Sequence, residues 1–276
     1  FSGSGELDNG LNVAISFVLD QGDDKGTTTS ADDNANSPFD SHSIKISSDS
    51  LGTLTFNAEG GTTAANNIDA TAAGDIWDKF DGLTNAAAQK NSAGLTATAT
   101  AGNNSFMYST PELMEGLTGV VSYQPQGSSG KSGMGYGVNF TGMEGLTLKY
   151  AVADKPSYTA TSEGDVTVIS ASYAYGPVTV SYSDMDSDIG TANADYEISS
   201  YAVSYTVSDE LSITYGTEEA TREGDATEAE YSSISMSYTS GGMTISAGMH
   251  DAENANFGSG SEEDIEKWTL GASFAF

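Results

Sequence analysis

Short stretches of alternating apolar and polar residues recur along the whole chain. In LTLKY at 146–150, the leucines and the tyrosine fall on one side, while Thr147 and Lys149 fall on the other. The same alternation runs through 200–207 and 232–240. Because successive side chains of a strand point to opposite faces, this period predicts β-strands with one apolar face.

Two kinds of connection separate these strands. Tight turns carry glycine or an acid, as in DNG at 8–10 and EG at 144–145, and they predict hairpins. Long, polar and acidic connections alternate with the turns; they are expected near 21–40, 59–102, 124–133, 154–164, 184–195, 217–229 and 250–263. The pattern predicts fifteen strands, near 1–7, 11–20, 41–48, 52–58, 103–110, 117–123, 134–141, 146–153, 166–175, 178–184, 196–207, 211–217, 230–239, 243–249 and 264–276.

Alternation alone fits either a soluble β-sandwich or solenoid, or a membrane β-barrel. The difference in length between the two kinds of connection favours the barrel. Membrane barrels have short turns on the periplasmic side and longer loops on the extracellular side. Aromatic residues near strand ends, such as Tyr108, Tyr173 and Tyr175, are typical of the girdles at membrane interfaces. We therefore predict an all-β, transmembrane, antiparallel up-and-down barrel that forms a single domain over 1–276.

The number of strands adds a further expectation. Single-chain bacterial barrels have even strand numbers. The last predicted strand runs towards the periplasm, and so does the first one, which begins at Phe1. An additional strand is therefore expected upstream of Phe1, giving sixteen.

Composition narrows the function. The chain of 276 residues has a net charge of −30, which disfavours nucleic acid as a partner because phosphate binding requires a basic surface. It has no cysteine, which excludes disulfides and thiolate metal sites. The two histidines, His42 and His250, have no plausible serine–aspartate partners, so an enzyme is not expected.

Four segments carry a resemblance to a known family. They are FSGSGELDNGLNV at the start, SIKISSDSLGTLTFNAEGG at 43–61, NSFMYSTPELMEGLTGVVSYQ at 104–124, and the closing GASFAF. In these segments the chain resembles the sixteen-stranded, trimeric general diffusion porins of Gram-negative outer membranes, of the alphaproteobacterial type. The resemblance implies a homotrimer in outer-membrane lipid, with 59–102 as the third external loop, folded into the lumen as a constriction.

The resemblance also assigns roles to the end of the chain. In such barrels a final aromatic on an alternating strand is read by the barrel-assembly machinery. Phe274 and Phe276 are the residues that would carry this signal.

Charged residues on the expected loop and wall are candidates for the constriction. The loop acids are Asp69, Asp75, Asp78 and Asp81, and the lysines predicted to face the lumen are Lys45, Lys149 and Lys267. Opposed across a narrow opening, these groups would set a transverse field. The alternative is that the acids are merely solvated and that the lysines tether the loop.

The expected loop also carries two large aromatic residues, Trp77 and Phe80. They are predicted to anchor the loop to the barrel wall. The alternative is an apolar patch that contacts solutes at the constriction.

The segment 184–195 resembles a calcium loop in part, through Asp184, Asp186 and Asp188. Its glycine and last acid do not match the helix-loop-helix pattern, so loose calcium binding is left only as an alternative. No other cofactor is predicted.

The sequence thus predicts an outer-membrane porin for passive diffusion of small hydrophilic solutes and ions, with a preference for cations. Two alternatives stay open. One is a secreted or surface β-rich adhesin or structural protein, and the other is a barrel channel with a dedicated substrate.

Overall fold

The computed structural model describes residues 1–19, 39–80, 104–125, 132–155, 164–188, 190, 195–257 and 264–275. Within these ranges the regular structure is β, apart from two short 3₁₀ helices at Ile76–Phe80 and Ala255–Phe257. No helix among the described residues is long and apolar enough to cross a membrane.

The fifteen predicted strands are confirmed, in the predicted order. They are β1 Ser2–Glu6, β2 Asn12–Leu19, β3 Phe39–Ser48, β4 Gly52–Glu59, β5 Ser105–Ser109, β6 Leu117–Gln124, β7 Gly133–Met143, β8 Leu146–Lys155, β9 Gly164–Tyr175, β10 Val178–Ser187, β11 Tyr196–Thr206, β12 Leu211–Arg222, β13 Ala229–Ser240, β14 Met243–Glu253 and β15 Ile265–Phe274. Each strand pairs antiparallel with the next in the chain, forming one sheet from β1 to β15. The strand expected upstream of Phe1 stays a prediction.

The short turns depend on glycine. Gly116 and Gly145 adopt φ of 72° and 77°, a left-handed conformation that disfavours other residues. A Cβ on Gly116 would lie 2.0 Å from the amide nitrogen of Gly142, and one on Gly145 would lie 2.3 Å from the carbonyl oxygen of Ala174. These turns therefore pack directly against the neighbouring hairpin.

The two faces of the sheet differ in chemistry. One face, which we call the loop face, carries small and polar residues such as Ser122, Ser183 and Ser200, and the segment 60–80 packs on it. The opposite face, which we call the apolar face, carries exposed aliphatic and aromatic side chains, among them Val203 and Leu270. A soluble sheet would bury the second face, whereas lipid solvates it.

Aromatic side chains lie in the middle of the apolar face and at its turn-side end. Tyr182 and Tyr201 lie directly opposite each other on β10 and β11, with ring centroids 4.9 Å apart. Near the turn-side ends of the strands, Tyr205, Tyr238 and Phe274 are exposed. The turn-side row corresponds to an aromatic girdle of a membrane barrel.

The largest buried cluster lies between the segment 60–80 and the loop face. Ile76 and Phe80 from the segment are buried with Val168, Met185 and Ile198 from β9, β10 and β11. The apolar core therefore lies at the contact between the segment 60–80 and the sheet.

Candidate functional site

Serine side chains on the loop face hold the backbone of the segment 60–80. Their hydroxyl oxygens accept from three amides, Ala64 to Ser122 at 3.0 Å, Ala72 to Ser183 at 2.7 Å and Ala73 to Ser200 at 2.9 Å. The Ser183 hydroxyl also donates to the carbonyl of Ala70 at 2.7 Å. Because extended backbone lacks internal partners, these serines supply the hydrogen bonds that the segment needs.

A carboxyl group on β12 binds the start of the 3₁₀ helix. Glu218 is 2% exposed, and its Oε2 accepts from the amide of Ile76 at 2.7 Å. Its other oxygen, Oε1, is buried without a hydrogen-bond partner. Glu218 is not among the residues predicted from the sequence, although alternation with Tyr215 and Thr217 already places it opposite the apolar face.

The two aromatic residues of the segment are buried against β13. Trp77 is 3% exposed and Phe80 is 0% exposed. The ring of Tyr231 lies 6.4 Å from the Trp77 ring and 6.1 Å from the Phe80 ring, measured between centroids. Such packing leaves neither residue available as a patch for solutes.

The predicted acids of the segment lie on its exposed side. Asp69 and Asp75 converge on Thr71, whose hydroxyl oxygen is 3.2 Å from Asp69 Oδ1 and 2.6 Å from Asp75 Oδ1. Asp78 is also exposed, within the 3₁₀ helix. Asp81 lies outside the described residues. The structure thus brings two of the four predicted acids together around one hydroxyl.

The three predicted lysines all belong to the loop face. Lys45 pairs across the sheet with Thr55, whose row continues through Met107 to Ser122. Lys267 donates a hydrogen bond from its ammonium group to the carbonyl of Lys79, as the tethering alternative expects.

Lys149 lies in a cavity of ≈ 210 Å³ beneath the segment. It contributes a positive charge to the wall there. The sequence did not indicate this cavity, because the residues of the segment that close it lie far from Lys149 in the chain.

The calcium alternative gains no support from the geometry. Among the described residues no group of three or more His, Asp or Glu side chains is arranged to hold a metal ion. Asp184 accepts from the Tyr182 hydroxyl at 3.2 Å, and Asp188 accepts from the amide of Gly190 at 2.6 Å. Residues 189 and 191–194 of this loop lie outside the described ranges, so calcium binding stays an untested alternative.

The end of the chain continues the apolar face. Trp268, Leu270 and Phe274 are exposed on β15. Phe276, the second predicted aromatic of the assembly signal, lies outside the described residues.

Solved structures similar to this one include porins. A doubly substituted variant of the Rh. blastica porin matches with a TM-score of 0.61 and 15% identity, over 100% of this chain and 88% of that one. The anion-selective porin from Comamonas acidovorans matches with a TM-score of 0.56 and 17% identity, over 91% of this chain and 77% of that one. OmpT of Vibrio cholerae matches with a TM-score of 0.58 and 11% identity, over 99% and 87%. At these identities the likeness supports the fold alone.

A search by sequence among curated proteins gives no significant match. The family model described as Gram-negative porin matches residues 1–239. This match covers most of the chain and excludes the adhesin alternative as well as an enzyme. The chain belongs to the Gram-negative porins, the β-barrel diffusion channels of the outer membrane.

Proposed function

We propose that the segment 59–102 narrows a water-filled channel through which small hydrophilic solutes and ions diffuse passively. The supporting observation is the course of the described part of this segment, which hydrogen-bonds to β6, β10, β11, β12 and β15. These strands are spread across more than half of the sheet. A segment attached to all of them, on the face away from lipid, crosses the space that a closed barrel would enclose.

The loop is anchored by Glu218, Tyr231 and the serines of the loop face in this proposal. Trp77 and Phe80 are the anchoring side chains, as their burial against Tyr231 supports. The carboxylates of Asp69 and Asp75, which lie on the exposed side, line the opening.

The channel prefers cations in this proposal. Carboxylates at a narrow opening concentrate cations and repel anions, and the net charge of −30 acts in the same direction. Lys45 and Lys149 on the loop face reduce this preference without reversing it, because the acids outnumber the basic residues.

Reversal potentials in planar bilayers under a potassium chloride gradient test the selectivity. The unmodified protein should prefer cations, and the double variant Asp69→Asn, Asp75→Asn should prefer them less. A matched control removes two charges from the turn between β11 and β12, through Asp209→Asn and Glu210→Gln. Anion preference in the unmodified protein, or an equal shift in the control, would refute the assignment.

A dedicated substrate is the remaining alternative for the same fold. Swelling of liposomes in sugars of increasing size separates the two functions. A general channel gives rates that fall smoothly with solute size, whereas a specific one gives an outlying rate for its substrate.

Assembly as a homotrimer completes the proposal, with recognition of β15 by the barrel-assembly machinery through Phe274 and Phe276. The exposed side chains of Trp268, Leu270 and Phe274 on β15 support the proposed recognition. Unheated samples on denaturing gels should run as an oligomer and heated samples as a monomer. The variant Phe274→Ala should lower the yield of the heat-modifiable form in the outer membrane, and an unchanged yield would contradict the role of Phe274.

A further inference from the structure

A single row of directly opposed residues crosses the loop face of the sheet. It begins with Thr118 on β6, which is opposite Asn139 on β7, and Asn139 is opposite Lys149 on β8. It continues through Ser170 on β9. All four side chains are polar, and Lys149 is the positive charge among them.

The second half of the same row binds the loop. Ser170 is opposite Ser183, which is opposite Ser200, and Ser200 is opposite Glu218. These last three residues hydrogen-bond to Ala72, Ala73 and Ile76 of the segment. Where the segment covers this row, the polar side chains of the row therefore bind the backbone of the segment.

The first half of the row is not covered in this way. Thr118, Asn139 and Lys149 line the cavity of ≈ 210 Å³, together with Ser109 on β5. The segment contributes Asn67 and Ile68 to the cavity. The cavity therefore lies between the wall and the segment, next to the path that a solute would take.

The chemistry of the cavity indicates its ligand. Within the described part of the chain, Lys149 makes no ion pair or hydrogen bond, so its ammonium group is available to an anion. The amide oxygen of Asn139 is buried without a hydrogen-bond partner. Hydroxyls of Ser109 and Thr118 and the amide of Asn67 add neutral donors and acceptors. An ammonium group selects a carboxylate, and the neutral groups select hydroxyls.

We propose that this cavity is a weak binding site for small hydroxylated carboxylates beside the diffusion path. The inference rests on the proposed channel. It adds a binding site for organic acids to a protein that is otherwise strongly acidic. A carboxylate bound beside Lys149 narrows the adjacent passage, so binding reduces the ionic current.

The test uses the purified full chain in planar bilayers, with gluconate as the probe and sorbitol as its uncharged analogue. Gluconate should reduce the potassium chloride current with a saturating dependence in the millimolar range. Sorbitol should give only the linear decrease caused by viscosity. The variant Lys149→Gln should raise the apparent dissociation constant of gluconate about tenfold, as loss of one charge-assisted contact predicts. The variant Lys149→Arg should largely restore binding.

Lys45→Gln is the matched control, since Lys45 lies on the same face outside the cavity and loses the same charge. Its gluconate constant should stay within about twofold of the unmodified protein. The site would be refuted if sorbitol reduced the current as much as gluconate, or if the reduction by gluconate did not saturate. It would also be refuted if the apparent dissociation constant of gluconate were unchanged in Lys149→Gln. Each variant must conduct, which establishes that it is folded. An absence of channels from the unmodified protein would instead refute the proposed function.

Discussion

The carboxyl group of Glu218 on β12 accepts a hydrogen bond from the amide of Ile76 at 2.7 Å, across 142 positions of the chain. Ile76 begins the 3₁₀ helix of the loop segment, where an amide has no partner within the helix. Glu218 satisfies that amide from the wall of the sheet. A contact between a strand and a loop so far apart fixes the position of the proposed constriction.

The variant Glu218→Ala should release the loop from this point. The amide of Ile76 would lose its acceptor, at a cost of about 1–3 kcal/mol for a buried donor. We expect single-channel conductance to rise and open-channel noise to increase. The control is Glu219→Ala, because Glu219 is the next residue and lies on the apolar face. Equal conductance in the two variants would show that Glu218 does not position the loop.

Gly216 allows the loop to approach β12 closely. A Cβ at this position would lie 2.7 Å from the Cβ of Ala73, closer than two carbon atoms pack. We expect Gly216→Ala to push the segment away from the wall and lower the single-channel conductance. The control is Gly119→Ala, where the nearest atom is a methyl carbon of Thr110 at 3.4 Å. Conductance that falls equally in both variants would contradict this role.

The strands could be predicted from the sequence because their signal is local. Each one alternates within about ten residues, and each pairs with its neighbour in the chain through a short turn or a loop. The face on which the lysines lie could be predicted from the same alternation. Ile44 and Ile46 are apolar, so Lys45 between them points to the opposite face.

The attachment of the loop could not be predicted in the same way. The hydrogen bond between Ala72 and Ser183 spans 111 positions, and no local pattern marks either residue. Serines on this face appear as ordinary polar positions in the sequence, and Glu218 appears as part of an acidic strand end. Burial by a distant segment gives these residues their roles.

Three carboxylates of neighbouring strands oppose one another on the apolar face. Glu230 on β13 lies directly between Glu219 on β12 and Glu253 on β14. Like charges directly opposite in a sheet are destabilising. We therefore expect Glu230→Gln to raise the temperature of heat modification on gels at low ionic strength.

Salt should remove this stabilisation, because the charges are exposed and the Debye length falls to about 3 Å at 1 M salt. The control is Glu6→Gln, since Glu6 is opposite Asn12 on β2. A stabilisation that persists at high salt, or that appears equally in the control, would mean that repulsion between these carboxylates is not the cause.

Two adjacent residues of β11 separate the apolar face from the loop face. Val203 is exposed on the apolar face of β11, between Val180 and Tyr215, whereas the next residue, Ser204, lies on the loop face. If lipid covers the first face and water the second, an arginine should be tolerated only at Ser204. We expect Val203→Arg to destabilise the folded protein in lipid vesicles by about 1–4 kcal/mol, as for an arginine on the lipid face between the interface and the bilayer midplane. Ser204→Arg loses only the contact of 2.9 Å between Ser204 Oγ and Thr214 Oγ1, for about 0.5–1.5 kcal/mol. Urea titrations of refolding into vesicles, followed by the gel shift, measure both. If Ser204→Arg destabilised the protein more than Val203→Arg, the loop face would be the one in contact with lipid. The two faces would then have to be exchanged.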